Sequence, residues 1–321
     1  MALRPGIWLL DRIMKASPAS SIAQMDDAAL ATAQATVLPD RGLISVLLGR
    51  ARSGVEITPT GFTPSHGQRL PLRIYTPRAE GAGRPLVVNF HGGGFALGSA
   101  RQTDWISSVV ALAVDAVVVS VDYRLAPAHP FPAAVEDCYE ALLWAVAQSS
   151  AFGADPARLA VIGESAGGNL AAVIAIMARD QDGPPIAHQT LLYPATDLTE
   201  AIQQTASYRN NRGIVLTNAD MEIFNGHYIP KDADRRDWRL SPLYAADLSG
   251  LPPAVVVVAG LDPLHDSGVA YAQALTAAGV EVRLEDYPQM PHGFLNFPYF
   301  SKEARPAMAA VTAAQRRALR P

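Results

Sequence analysis

The sequence predicts an α/β fold, with helices on both faces of a mostly parallel sheet and a helical lid over one edge. Short apolar runs alternate with helical stretches from residue 86 onward, which is typical of parallel strands buried on both faces. A glycine-flanked serine follows one of these runs, and three successive glycines follow another. Both loops are expected at the carboxyl edge of the sheet, where we expect the chemistry.

Residues 1–50 are expected to form two or three helices that carry no chemistry. Helical spacing places four apolar residues on one face of the first helix: Ile7, Leu10, Ile13 and Met14. An alanine-rich stretch begins at Asp26, and residues 39–42 break it. The apolar run at 6–10 stops at Asp11, too early for a signal peptide or a membrane span, so neither is expected.

Strands are predicted where apolar residues run between turn residues. Residues 55–58 and 70–75 are expected to pair as edge strands. Parallel strands buried on both faces are expected at 86–90, 116–121, 159–162, 189–192, 254–259 and 280–284. The clearest helices span 133–148 and 267–278, and Gly279 is expected to cap the second.

The alternation of strands and helices lapses between Tyr193 and Ala254. A gap of about sixty residues is long for a plain connection, so we interpret it as a helical insertion over the site. The predicted organisation is N-terminal helices at 1–50, a core at 51–194, the insertion at 195–245 and the rest of the core at 246–321.

The composition is that of a globular protein, with 49% hydrophobic and 17% charged residues. A net charge of -4 and a pI near 6.0 provide no basic surface for nucleic acid or an anionic membrane, so we expect a small neutral substrate. Cys138 is the only cysteine. This excludes an intrachain disulfide and a cysteine metal cluster, and it favours a reducing, cytoplasmic location.

The serine in the first of the two loops is the candidate nucleophile. Gly163, Ser165 and Gly167 match the pattern G-x-S-x-G, a strand-to-helix turn so tight that only small residues fit beside the serine. The pattern is weak by itself, but an apolar strand precedes it and a helix follows it. The N-terminus of that helix would direct unpaired N–H groups at a reaction oxyanion.

The second loop, residues 91–94, reads His-Gly-Gly-Gly and follows the strand at 86–90. As a phosphate-binding loop it lacks the G-x-G-x-x-G spacing and a Walker lysine. As an oxyanion loop it matches the HGGG form of lipases and esterases, in which successive glycines let backbone N–H groups turn toward a ligand. We favour an oxyanion loop over a plain glycine turn.

Among seven histidines, His292 is the candidate general base because it lies in the loop after the last strand. The others lack a metal-ligand spacing such as H-x-x-x-H, so neither a metal nor a cofactor is expected. The base needs a carboxylate on its other ring nitrogen. Asp262 directly follows a strand and is preferred to Asp266, which could instead be a helix N-cap. The order Ser165, Asp262, His292 is that of α/β-hydrolases.

Five ordered motifs together resemble those of the bacterial hormone-sensitive-lipase-like carboxylesterases of the α/β-hydrolase fold, from about residue 70 to the C-terminus. They are residues 91–94, 122–127 with 129–134, 163–168, 262–266 and 292–294. The resemblance implies a triad of Ser165, Asp262 and His292. It further implies an oxyanion hole formed by the N–H groups of Gly93, Gly94 and Ala166. A two-part cap is also implied, built from the N-terminal helices and the insertion, with residues 123–127 and His91 in structural roles.

Three positions depart from the family pattern. Glu164 precedes the serine where aspartate is common, Ala128 replaces a usual glutamate, and Ser267 replaces another. These changes bear on neighbouring hydrogen bonds and on the substrate subclass, and they leave the triad whole.

The sequence therefore predicts a serine carboxylesterase that hydrolyses esters through an acyl-enzyme on Ser165. Its preference for short-chain esters is implied by the resemblance. The alternatives are an amidase or acyltransferase with the same triad, which sequence cannot separate from an esterase, and a non-catalytic receptor, which the intact triad disfavours. The expected partner is a small-molecule ester, and a homodimer is left open.

Overall fold

One eight-stranded sheet organises the computed structural model, which describes residues 3–16, 21–37, 42 and 49–320. Its strands are β1 (Val55–Phe62), β2 (Leu70–Pro77), β3 (Arg84–Phe90), β4 (Val117–Val121), β5 (Ala154–Glu164), β6 (Ile186–Leu192), β7 (Ala254–Leu261) and β8 (Val282–Pro291). Their spatial order is β1-β2-β4-β3-β5-β6-β7-β8. The pairs β1/β2 and β2/β4 are antiparallel, and all the others are parallel. The predicted, mostly parallel sheet is confirmed.

Helices cover both faces of the sheet, as predicted. They are α1 (Pro5–Lys15), α2 (Asp27–Ala35), α3 (Asp104–Val114), α4 (Ala133–Ala147), α5 (Ala166–Asp180), α6 (Ala206–Arg209), α7 (Asn218–Tyr228), α8 (His265–Ala277) and α9 (Ala304–Ala318). One hydrophobic core contains α4, α5 and α8, and the other contains α3, α9 and Ile7 of α1. Neighbours such as Val87 and Val88 enter opposite cores because successive strand side chains point to opposite faces.

The ends of two helices agree with the capping residues in the sequence. At the start of α2, the Asp26 carboxylate accepts the N–H of Ala29 at 2.8 Å. Gly279, predicted to cap the helix before it, has φ +82° just beyond α8. The break predicted at 39–42 lies outside the described residues except for Gly42. Within the part of the chain that the structure describes, we find no helix suited to spanning a membrane.

The burial predicted for one strand is wrong, and the apolar face predicted for α1 is only partly covered. The strand expected at 280–284 is β8, which lies at the edge of the sheet, and its Leu284 is 42% exposed. On α1, Ile7 and Leu10 are buried, but Ile13 is exposed. The apolar pattern of a segment indicates which face can be buried, whereas the number of neighbouring elements decides how much of that face is covered.

The segment between β6 and β7 contains helices, as predicted. It carries α6, α7 and two short 3-10 turns at Glu200–Gln204 and Pro242–Tyr244. A capping box between Thr217 and Asp220 starts α7. The buried Asp220 also accepts hydrogen bonds from the Ser21 hydroxyl at 2.5 Å and the Ala23 N–H at 3.2 Å. One carboxylate thus fastens the N-terminal region to the insertion.

His188 on β6 is a buried histidine whose protonation should limit stability in acid. Burial, and secondarily the charge of Arg317, lower the pKa of His188 from 6.5 to about 4. Between these two values the unfolded chain binds more protons than the folded protein, so the free energy of unfolding rises with pH. The contribution of neutral His188 is therefore complete above pH 6.5. It decreases as the pH falls towards 4, by up to about 3 kcal/mol in total.

Urea unfolding of the parent and of His188→Gln, at about pH 7.5 and about pH 5, tests this expectation. On going to the lower pH, we expect the parent to lose about 2 kcal/mol more of its free energy of unfolding than the variant does. Equal losses in the two proteins would contradict the assignment of this acid sensitivity to His188.

Candidate active site

The ends of four parallel strands bring the predicted site residues to one edge of the sheet. His91 follows β3, Ser165 follows β5, Asp262 follows β7 and His292 follows β8. Since these strands all run in the same direction, their carboxyl ends face the same side. The sheet thus gathers loops that lie far apart in the sequence.

Ser165 lies in a strained turn between β5 and α5. Its backbone has φ +55° and ψ -118°, a conformation that residues other than glycine rarely adopt. A Cβ atom at Gly163 would lie 1.9 Å from the carbonyl oxygen of Gly167, so only glycine fits there. The Ser165 N–H donates to the carbonyl of Leu192 at 2.8 Å. The turn therefore holds the serine at the border of a cavity.

Ser165, His292 and Asp262 form one chain of hydrogen bonds. The distance from His292 Nε2 to Ser165 Oγ is 2.8 Å, and the distance from His292 Nδ1 to Asp262 Oδ2 is 2.7 Å. The other oxygen of Asp262 accepts the N–H of Leu264 at 2.8 Å. Because an ionised carboxylate only accepts hydrogen bonds, Asp262 assigns the proton to Nδ1 and leaves Nε2 free to accept the serine proton.

Asp266, the competing carboxylate, is not part of the hydrogen bonds that join Ser165, His292 and Asp262. It accepts the N–H of Ser207 at 2.9 Å and contacts Nδ1 of His265 at 2.9 Å. The N-cap alternative for Asp266 is wrong, because α8 begins at His265 and its N-cap is Leu264. Burial alone would lower the pKa of His265, but the carboxylates of Asp266 and Asp286 have the larger combined effect, and the pKa of His265 is raised. Asp266 thus belongs to a separate ion pair.

The predicted oxyanion residues line the same cavity as Ser165. Gly93 and Gly94 have φ values of +117° and +59°, in the region that favours glycine. A Cβ atom at Gly94 would also lie 2.3 Å from the ring of Phe224. Ala166 is the first residue of α5, where N–H groups lack partners within the helix. This geometry suits an N–H donor group beside the serine.

His91 is the first residue of the loop 91–94 and is 1% exposed. Its ring stacks on Tyr123 with 4.2 Å between the ring centroids, and the Tyr123 hydroxyl donates to the His91 carbonyl at 2.8 Å. Burial lowers the pKa of His91 and favours its neutral form. These contacts fit the structural role that the family resemblance implies.

A second group of polar residues lies near Ser165, and the sequence singled out only one of them, Glu164, as a departure from the family pattern. Glu164 is 1% exposed beside the cavity, and its carboxylate contacts Gly92, Gln102, Tyr193 and Asn296. Tyr193 follows β6 directly, which is the one sequence signal that could have identified it as a site residue. Gln102 and Asn296 carry no such signal, since they lie beyond the loops that follow β3 and β8.

The other two departures from the family pattern have local structural settings. Ala128 is exposed in a turn. Ser267 is buried in the first turn of α8, where its hydroxyl donates to the Leu264 carbonyl at 2.9 Å. Its own carbonyl accepts the Thr196 hydroxyl at 2.8 Å. Ser267 thus helps to hold the segment that follows Asp262.

The cavity above Ser165 has a volume of about 390 Å³. Its wall includes residues from α2, the oxyanion loop, α7 and the loop after β8. The apolar members are Ala33, Phe95, Ala166, Ala195, Leu198, Val215, Leu216, Met221, Phe224, Leu264 and Phe297. Among the described residues, no group of three or more histidine, cysteine, aspartate or glutamate side chains is arranged to hold a metal ion.

Comparison with known proteins identifies a matching family and several similar esterases. The sequence pattern of the α/β-hydrolase fold family matches residues 87–296. The carboxylic ester hydrolase LipN of Mycobacterium tuberculosis is 47% identical over 248 residues, a match that covers 75% of this chain and 65% of LipN, just under two thirds of its length. The carboxylesterase NlhH of the same organism is 42% identical over 255 residues, which cover 78% of this chain and 79% of NlhH.

A solved structure extends the similarity to the whole chain. The hyperthermophilic esterase of the archaeon Pyrobaculum calidifontis is 36% identical and has a TM-score of 0.84, with 100% of both chains covered. The similarity thus includes the sheet, the helices and the segment between β6 and β7.

Proposed function

The chain belongs to the α/β-hydrolase family, among the bacterial hormone-sensitive-lipase-like carboxylesterases, and from this premise we propose that Ser165, His292 and Asp262 carry out its ester hydrolysis. One observation carries the assignment: the three side chains form a single hydrogen-bonded chain whose serine end opens into a largely apolar cavity. Because all three residues of this hydrogen-bonded triad are present, the alternative of a non-catalytic receptor is disfavoured.

In the acylation step, Ser165 Oγ attacks the carbonyl carbon of the ester while its proton passes to His292 Nε2. The Asp262 carboxylate, 2.7 Å from Nδ1, stabilises the resulting imidazolium. The N–H groups of Gly93, Gly94 and Ala166 are proposed to bind the tetrahedral oxyanion, because they border the cavity beside Ser165. His292 then protonates the alcohol oxygen, the carbon–oxygen bond breaks, and the alcohol leaves.

In the deacylation step, water attacks the acyl-enzyme. His292 accepts a proton from the water, a second tetrahedral oxyanion forms, and its collapse releases the carboxylic acid. The proton on His292 returns to Ser165 Oγ, and the starting state is restored. Each proton in the cycle is transferred at Nε2, which lies 2.8 Å from Ser165 Oγ.

The size and lining of the cavity support short-chain esters as substrates. A volume of about 390 Å³ lies at the lower end of the range of about 300–1,000 Å³ that is usual for small-molecule sites. Leu198, Met221 and Phe224 close its sides with apolar surface. A panel of nitrophenyl esters, from acetyl to palmitoyl, together with the matching anilides, tests this. We expect short esters to be preferred and anilides to react poorly, whereas comparable turnover of anilides would favour the amidase alternative.

We also propose that residues 1–50 and 195–245 act as a two-part cap over the core. Ala33 and Thr36 of the N-terminal part and Met221 and Phe224 of the insertion border the cavity. The Gln34 amide donates to the carbonyls of Ala96 and Ala126 at 2.8 Å each. The wall of the substrate cavity thus depends on both cap segments.

Deleting residues 1–40 is expected to change substrate preference more than basic turnover. The deletion removes Ala33 and Thr36 from the cavity wall and leaves the triad and the oxyanion glycines in place, so water would reach the acyl site. Leu10 is buried whereas Trp8 is 51% exposed, so the newly exposed core surface is that under Ile7 and Leu10, and solubility should fall.

Turnover of acetyl to octanoyl nitrophenyl esters measures the effect of the deletion. We expect the ratio of octanoyl to acetyl turnover to change more than acetyl turnover itself. Deleting residues 1–16 is the matched control, because it leaves Ala33 and Thr36 in the cavity wall. An equal loss on every ester, with the protein folded by circular dichroism, would count against a cap role.

Two further proposals concern assembly and location. We propose a homodimer, supported by the open edge of β8, because an exposed strand edge can pair with a second copy. Light scattering after gel filtration tests it, and a monomer at all concentrations would reject it.

We propose a cytoplasmic location, supported by the buried, unpaired Cys138. Fractionation of the producing cells tests that location.

A further inference from the structure

Glu164 lies next to Ser165 at the end of β5, and its carboxylate is almost completely buried. Burying a carboxylate is costly unless a cation or several hydrogen bonds stabilise it. Among the described residues no ion pair to Glu164 is seen, so hydrogen-bond donors carry that task. Their identity shows what this carboxylate holds together.

Four donors from four separate segments converge on Glu164. Oε1 accepts the Gln102 amide at 3.0 Å and the Gly92 N–H at 3.3 Å. Oε2 accepts the Tyr193 hydroxyl at 2.9 Å and the Asn296 amide at 2.5 Å. Burial, and then the charge of Glu164, raise the pKa of Tyr193, which keeps its proton available for this bond.

Two of these donors fix the oxyanion loop. Gly92 directly precedes Gly93 and Gly94, and its N–H binds Glu164. Its carbonyl accepts the Gln102 amide at 3.1 Å, so the backbone of residue 92 is held on both sides. A Cβ atom at Gly92 would lie 3.3 Å from Glu164 Cγ, which shows how closely the loop packs against this side chain.

The other two donors fix the surroundings of the catalytic histidine. The Tyr193 ring meets the His292 ring edge-on, with 5.1 Å between their centroids. Asn296 lies in the short 3-10 turn Phe294–Asn296 that follows His292. Both side chains donate to the same carboxylate oxygen, Oε2. The position of residues 292–296, the His292 loop, relative to Ser165 therefore depends on Glu164.

We propose that Glu164 is a positioning residue, which through its four hydrogen bonds holds the oxyanion loop and the His292 loop in register with Ser165. The proposal rests on the proposed function of Ser165 and His292. It assigns Glu164 no contact with the reacting atoms. Its effect is on kcat, because the transition state needs both loops in place, whereas KM depends mainly on the apolar cavity wall.

Glutamine is a suitable isosteric replacement for separating the hydrogen bonds from the charge. In Glu164→Gln, the new amide oxygen can accept from Gly92 and Gln102, while the new NH₂ can donate to the Tyr193 hydroxyl oxygen and to a rotated Asn296 amide. The positions of both loops are then retained. In Glu164→Ala, all four donors lose the acceptor that Glu164 provides, and among the described residues only the Gln102 amide keeps another one, the Gly92 carbonyl.

The test compares kcat and KM for nitrophenyl acetate in both variants with thermal melting of each protein. We expect Glu164→Ala to lower kcat about 100-fold, as loss of one oxyanion donor does, with KM within about threefold. Glu164→Gln should retain at least about a tenth of the parental kcat. Asp137→Asn is the matched control for a buried carboxylate, since Asp137 binds Arg124 and His66 instead. It should lower the melting temperature and leave kcat unchanged.

Three results would overturn the proposal. The first is a parental kcat in Glu164→Ala, whatever its melting temperature. The second is a decrease of kcat in Glu164→Gln as large as that in Glu164→Ala. The third is a decrease of kcat in Asp137→Asn equal to that in Glu164→Ala. If Glu164→Ala does not fold, Gln102→Ala and Asn296→Ala replace it, and parental kcat in both would reject the proposal. Parental activity in Ser165→Ala would instead defeat the proposed function, so the two failures are distinguishable.

Discussion

Replacing Ser165 with alanine is expected to lower kcat by a factor on the order of 10⁶, as loss of the nucleophile does in serine hydrolases. The fold should survive, because the hydroxyl is removed from a partly exposed turn whose backbone is held by the bond from its N–H to Leu192. Ester hydrolysis and thermal melting of the purified variant measure the two effects.

A chemical label provides an independent test of the nucleophile. A phosphonate directed at activated serines should add mass to the parent at Ser165 and should leave Ser165→Ala unlabelled. Ser249→Ala is the control, because Ser249 is exposed and lies outside the site. Ester turnover near the parental rate in Ser165→Ala, or labelling at another serine, would refute the assignment.

Replacing Asp262 with asparagine is expected to lower kcat by a factor on the order of 10⁴. The amide oxygen of the variant would still accept the Leu264 N–H, as Asp262 Oδ1 does at 2.8 Å. The NH₂ group then faces His292 Nδ1, which has to become an acceptor. The imidazole proton moves to Nε2, where it blocks transfer of the serine proton. Steady-state kinetics on nitrophenyl acetate measure the loss.

Asp266→Asn is the matched comparison, four residues further along the chain. Asp266 binds Ser207 and His265 rather than His292, so this change should affect the junction between α6 and α8. We expect kcat to fall by less than about tenfold, since no proton transfer depends on this carboxylate. A large loss in Asp266→Asn with a small one in Asp262→Asn would identify Asp266 as the partner of the base.

Much of the fold could be read from local patterns in the sequence. The alternation of apolar runs and helices predicted the mostly parallel sheet, and glycine and aspartate marked helix ends at Gly279 and Asp26. Burial of the last strand was predicted wrongly, because its apolar residues do not reveal that β8 has one neighbour in the sheet. Position in a sheet is a property of the assembled chain rather than of the strand.

Some features of the candidate site could likewise be predicted from local sequence, whereas others depend on the assembled fold. By itself the sequence determined the tight turn around Ser165 and the glycine loop at 91–94, because glycine is required there by contacts within a few residues or by positive φ. It also placed Asp262 and His292 at strand ends. Only the tertiary structure decided that Asp262, rather than Asp266, faces His292 at 2.7 Å, and that Glu164 binds Asn296 from 132 residues away. Side-chain direction and hydrogen-bond partners across such separations depend on how strands and loops pack, and no local pattern encodes that packing.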